Sequence, residues 1–162
     1  MQALLVALLL LTGPADPFAG PSVPFLAGLA PGSRRAEVIG RLGQPLSTVS
    51  HPPEFELGMG RITELRYPGL SVWVCYPPST QHSHVFRIEA SSPRWEVSGG
   101  LHVGHSRSEV VRRLGESTST CVKDGTRYEV LRYSRFRSFD GWLDVTLADD
   151  HVTAITFEDD WS

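Results

Sequence analysis

The chain has 162 residues, 41% hydrophobic and 20% charged, enough for one compact domain or two small halves sharing a core, and too apolar for a disordered tail. Its formal charge is −3, and Lys123 is the one lysine among fifteen basic residues; without a basic surplus it is not a dedicated nucleic-acid binder. Fifteen glycines and twelve prolines exclude a coiled coil and point to short elements joined by turns.

An apolar run from Ala3 to Leu11 opens the chain, and small residues follow it. That length suits the core of a signal peptide, whereas a spanning helix needs roughly 20 apolar residues. Cleavage is expected after Ala15 or Ala19, giving a signal peptide over 1–19, a linker over 20–28 and a periplasmic or secreted product. No Cys follows the apolar run, so no lipid anchor is expected.

The remainder repeats itself. The segment from Leu29 to Gly43 aligns without a gap on Leu101 to Gly115, 72 positions further on. Leu29, Gly32, Arg35, Glu37, Val38, Arg41, Leu42 and Gly43 meet identical residues at Leu101, Gly104, Arg107, Glu109, Val110, Arg113, Leu114 and Gly115. Two repeats, 29–96 and 97–162, are the expected organisation. Each opens with a helix capped by Ser33 or Ser106. The apolar faces are Val38, Ile39 and Leu42, or Val110, Val111 and Leu114, and Gly43 or Gly115 stops the helix.

Strand-like alternation follows each helix. It predicts strands from Ile62 to Tyr67, Leu70 to Tyr76 and His84 to Ala90. In the second copy it predicts Ser117 to Val122, Arg127 to Phe136, Trp142 to Leu147 and His151 to Phe157. Asp149-Asp150 reads as a hairpin turn, and Glu158-Asp159-Asp160 as an acidic chain end. The expected class is α+β: two tandem units, each a helical segment and an antiparallel meander, joined into one curved sheet with helices on one face.

Leu-x-x-Gly, Glu-Val and Leu-Gly in each helical segment, Leu65-Arg66-Tyr67 and Leu131-Arg132-Tyr133, and the closing strands Val85 to Ile88 and Val152 to Ile155 resemble small exported domains of the BamE (SmpA/OmlA) type. They also resemble the tandem repeats of β-lactamase inhibitor protein. The resemblance spans residues 29–90 and 101–158. It implies a non-catalytic protein, an envelope-assembly accessory or an inhibitor, that binds a protein partner through its sheet or loops. The BamE lipobox cysteine has no counterpart here. Bridges lie within each repeat of the inhibitor, whereas each copy here has one Cys.

Chemistry is sparse. Gly104-His105-Ser106-Arg107-Ser108 starts like a nucleophile elbow but lacks the second glycine, so Ser106 is expected to cap a helix. His82 and His84 could share one side of a strand as metal ligands do, but no third ligand is evident nearby. No cofactor and no metal are expected; the alternative to a binding module is a small exported hydrolase using His105/Ser106 or a His82/His84 metal site. Arg and aromatic residues interleave near the second Leu-Arg-Tyr, the composition that protein-binding surfaces favour. The candidate surface is Tyr67, Trp73, Arg132, Tyr133, Arg135, Phe136 and Trp142. Export permits a disulfide, and Cys75–Cys121 is expected to clamp the two halves.

Overall fold

The computed structural model describes residues 26–54, 60–80, 82–97, 99–123, 125, 128–134 and 140–160. The signal peptide and most of the linker lie outside these residues. In chain order the elements are α1 (Arg35–Leu42), β1 (Ser47–Glu54), β2 (Gly60–Tyr67), β3 (Leu70–Tyr76), β4 (His84–Ala90), β5 (Glu96–Val97), β6 (Leu101–His102), α2 (Arg107–Leu114), β7 (Ser119–Lys123), β8 (Tyr128–Tyr133), β9 (Gly141–Ala148) and β10 (His151–Asp159). Eight strands form one antiparallel sheet in the order β1-β2-β3-β4-β10-β9-β8-β7, and β5 and β6 form a separate hairpin. The two meanders therefore meet at β4 and β10, where Ile88 lies opposite Phe157 and Arg87 opposite Glu158.

One face of the sheet is apolar. Leu65, Leu70, Val72, Val85, Ile88, Leu131, Leu143, Val145, Ile155 and Phe157 lie there, each 2% exposed or less. They share a core with Val38 of α1, Val110 of α2, Val97 and Leu101 of the small hairpin, and Leu26. Alternation on a pleated strand puts the intervening residues on the opposite, helix-free face.

Both helices are two turns long and end at a glycine with positive φ, 81° at Gly43 and 79° at Gly115. A β-branched side chain is strained in that region. The C-terminal carbonyls are held from the sheet: Tyr67 Oη donates to the Gly43 carbonyl at 3.1 Å, and Tyr133 Oη to that of Gly115 at 3.2 Å. Tyr67→Phe and Tyr133→Phe are each expected to cost about 1 kcal/mol, measured by urea unfolding.

Three sequence expectations need correction. The cap of α1 is Arg34, one residue after Ser33; its N–H donates to Glu37 Oε2 at 2.9 Å, while Ser106 caps α2 by accepting from Glu109 N–H. Leu42 and Leu114 are only partly buried; the fully buried helical positions are Val38 and Val110. The last strand runs two residues past the expected Phe157, so that Glu158 and Asp159 belong to β10 and pair with Trp142 and Gly141 of β9.

The expected disulfide is also excluded. Cys75 lies in β3 and Cys121 in the edge strand β7, five strand spacings apart in the sheet order. Five spacings of about 4.8 Å place them roughly 24 Å apart, far beyond the 4.4–6.8 Å reach of a bridge. Both thiols are free; Cys75 is buried and Cys121 exposed. The meanders meet through β4 and β10, which sends the two Cys strands apart. Cys75 donates to the His84 carbonyl at 3.4 Å, and burial pushes its pKa up to about 11. In native protein a thiol reagent should label Cys121 rapidly and Cys75 only on unfolding, read by peptide mass mapping; equal rates would contradict this arrangement.

Candidate functional site

The helix-free face carries two adjacent cross-strand rows. Register places Glu64 of β2, Trp73 of β3, Arg87 of β4, Glu158 of β10 and Trp142 of β9 directly opposite one another in sequence across the sheet. The next row spans all eight strands as Ser47, Arg66, Ser71, Glu89, Thr156, Asp144, Arg132 and Ser119. Directly opposed side chains are close enough to interact, and they do.

Near Trp142, the Arg132 guanidinium clamps Asp144 in a bidentate pair, Nε to Oδ1 at 2.8 Å and Nη2 to Oδ2 at 2.7 Å. The same guanidinium lies 4.7 Å from the Trp142 ring centroid. Near Trp73, Arg87 lies 4.9 Å from that ring and donates to Glu89 at 3.0 Å. Its Nε is buried without a hydrogen-bond partner among the described residues. The carboxylates of Glu64 and Asp144 sit low, with side chains 6% and 9% exposed, whereas Arg66 and Arg132 stand out at 51% and 41%. The face thus offers guanidinium planes and half-exposed indoles over a buried layer of acids, an arrangement suited to apolar contact and to hydrogen-bond donation at once.

Glu64 has the densest set of partners. It accepts from Arg66 Nε and Nη2 at 2.9 Å each and from Ser71 Oγ at 2.9 Å, and His51 Nε2 lies 3.2 Å away. The Arg66 hydrogen bonds, with those from Ser71 and His51, outweigh burial and hold its pKa down at about 2. Glu158 behaves oppositely. Burial raises its pKa, opposed by Arg87 and reinforced by Asp144. Burial also raises Asp159, to about 6.

Of the residues expected on this surface, Trp73, Arg132 and Trp142 are on it. Tyr67 and Tyr133 are not; each is 7% exposed, belongs to the core on the helix side and anchors a helix end. Arg135 and Phe136 lie outside the described residues. Glu64, Arg66, Arg87, Glu89, Asp144, Thr156 and Glu158 were missed. The signal that finds them is register and parity together: Glu64, Arg87, Asp144 and Glu158 lie opposite Trp73, Arg132 or Trp142 in the ladder, and Arg66, Glu89 and Thr156 stand two residues from Glu64, Arg87 and Glu158 on the same strands.

The hydrolase residues are placed otherwise. Ser106 Oγ accepts from Glu109 N–H at 3.3 Å and lies 2.9 Å from Ser108 Oγ. His105 Nδ1 accepts from His102 N–H at 3.3 Å, its ring lies against that of His102 at a tilt of 35° with 3.7 Å between centroids, and burial lowers its pKa. Its Nε2 is 3.7 Å from Glu109. Both side chains are thereby tied to the start of α2. His82 is exposed before β4 and His84 begins that strand. Among the described residues no group of three or more His, Cys, Asp or Glu is arranged to hold a metal ion.

No family model matches the sequence, and no curated protein matches it. Among solved structures the chain is similar to a DUF4309 family protein (YjgB) from Bacillus subtilis subsp. subtilis strain 168, with a TM-score of 0.46 and 15% identity over 79% of each chain. It is also similar to an extracellular protein containing a SCP domain from Bacillus anthracis strain Ames, with a TM-score of 0.50 and 12% identity. That alignment covers 93% of this chain and 49% of the other, so this chain spans about half the length of that protein. The second likeness concerns the fold.

Proposed function

We propose that this protein is an exported, non-catalytic binding module that engages a protein partner through the helix-free face of its sheet. The observation that supports this most directly is the row Trp73–Arg87–Glu158–Trp142, which sets two half-exposed indoles, each beside a guanidinium, across the β4–β10 junction. Trp and Arg are the residues that most often concentrate binding energy in protein interfaces. The apolar run over 3–11 supports export, and the extracellular Bacillus anthracis protein with a similar fold is consistent with it.

In the same reading the chain is a duplicated unit. The 72-position repeat supports this, as do matched hydrogen bonds. Gly32 N–H donates to the Val85 carbonyl and Val85 N–H to that of Ser33; Gly104 N–H donates to the Val152 carbonyl and Val152 N–H to that of His105. The resemblance of its motifs to the BamE-type domains and to β-lactamase inhibitor protein supports reading it as an assembly accessory or an inhibitor.

Affinity capture from the extracellular and envelope fractions tests the reading. Wild type is compared with Trp73→Ala/Trp142→Ala and with Arg112→Ala, a substitution at an exposed position of α2. A specific partner should be retained by wild type and Arg112→Ala and lost from the double variant at unchanged fold. Equal capture by all three would overturn it.

A further inference from the structure

The sheet has two edges, β1 and β7, and among the described residues only β1 carries features that close an edge. In β1 the pattern of paired backbone groups follows from the two-residue turn joining Tyr67 to Leu70, which makes those two a hydrogen-bonded pair. Alternation then turns the backbone groups of Arg66, Glu64 and Ile62 toward β1, where Ser47, Val49 and His51 receive them. The outward positions are Thr48, Ser50 and Pro52; Pro52 has no N–H to offer, and the register is irregular between His51 and Glu54. A proline and a bulge are the usual ways to close an edge.

The β7 edge is different. The Asp149–Asp150 turn, with φ of 47° and 63°, makes Ala148 and His151 a hydrogen-bonded pair. Alternation turns Leu147, Val145 and Leu143 toward β8, and Val130 and Arg132 of β8 toward β7. Ser119, Cys121 and Lys123 therefore direct their N–H and C=O groups inward to β8. Thr120 and Val122 direct theirs away from the sheet. All five residues are exposed, none is a proline, and Val122 is 59% exposed.

We propose that β7 is the contact edge of a homodimer, pairing antiparallel with β7 of a second copy about a twofold axis at Cys121. This register matches the whole strand to itself. Thr120 of each copy lies opposite Val122 of the other and exchanges both backbone hydrogen bonds with it, so the outward groups are all satisfied. Ser119 lies opposite Lys123, which keeps the ammonium away from a like charge; a register centred on Lys123 would oppose two ammonium groups. Cys121 faces its own copy as a non-hydrogen-bonded pair, about 4.5 Å between Cα atoms, within reach of a disulfide. The axis runs perpendicular to the sheet, so the helix-free faces of both copies lie on one side as a continuous surface. The dimer rests on the edge geometry and not on the function proposed for the face.

Two five-residue strands form a small interface, so association in the range of about 10–1,000 µM is expected. Sedimentation velocity across that range should show a concentration-dependent dimer of the full chain. Oxidised glutathione serves as the covalent probe. A Cys121 thiolate attacks it and expels one glutathione thiolate; the second copy's Cys121 thiolate then displaces the other, leaving one protein disulfide and two reduced glutathiones. Wild type should cross-link through Cys121, and Cys121→Ser should self-associate without cross-linking. Val122→Pro should abolish both dimer and cross-link at unchanged thermal stability, because the N–H it removes points away from β8. A wild type that stays monomeric and accumulates only the glutathione mixed disulfide would overturn the proposal, as would a Val122→Pro protein that folds and still dimerises.

Discussion

Phe157→Ala should destabilise the protein by about 3–5 kcal/mol. Phe157 is fully buried and stands in β10 between Ile88 of β4 and Leu143 of β9, at the seam where the two meanders join. Truncation leaves a cavity lined by residues fixed on three strands, and a strand lattice cannot collapse to fill it without breaking ladder hydrogen bonds. At about 2–4 °C per kcal/mol for a chain of this size, the midpoint should fall by on the order of 10 °C. Calorimetry measures it directly. A loss below about 1 kcal/mol would mean that the seam is not a packed core.

The second large effect is electrostatic and depends on pH. The Glu64 carboxyl titrates at about 2 in the folded protein against an ordinary value of 4.5. A depressed carboxyl stabilises the fold above its unfolded pKa and loses that contribution as pH falls through the folded one. The window is therefore from about pH 4.5 down to about pH 2, and the contribution is on the order of 3 kcal/mol for a carboxylate this buried. Asp159, raised to about 6, acts with the opposite sign: its contribution favours the fold at low pH and is lost as pH rises from its unfolded value toward 6. Comparing wild type with Glu64→Gln removes Asp159 from the measurement. The stability gap between the two should be full near neutral pH and should shrink steeply toward pH 2. A gap independent of pH would show that the Arg66–Glu64–Ser71 cluster does not act through charge.

Much of the sheet was legible because its signals are local. Leu70–Tyr76 and His84–Ala90 begin and end where the pattern says. β1 was not legible, because His51-Pro52-Pro53 reads as a strand breaker; an edge strand tolerates proline since one side of it has no partner. The 72-position shift that aligns the two helical segments carries the missing clue, as Ser47 and Thr48 stand 72 positions before Ser119 and Thr120 of β7.

The site was half legible. Trp73, Arg132 and Trp142 were found by residue type, but residue type does not tell which face a side chain occupies. Tyr67 and Tyr133 share that chemistry and point the other way, to the helix ends. Arg87 and Glu158 are separated by 71 positions and become neighbours only when β4 pairs with β10. The same long-range pairing decided the cysteines: a bridge between halves required Cys75 and Cys121 near the seam, and the strand order puts Cys121 at the far edge.

The claim that the helix-free face receives the partner is tested most directly by site-specific photo-cross-linking. A photoreactive side chain is placed singly at Ser71 and Thr146 on that face, and at Arg112 and Ser108 on α2. Cross-links to one partner should form from Ser71 and Thr146 and be absent from Arg112 and Ser108. The reverse pattern, with the partner held by the α2 positions and the sheet positions silent, would contradict the account.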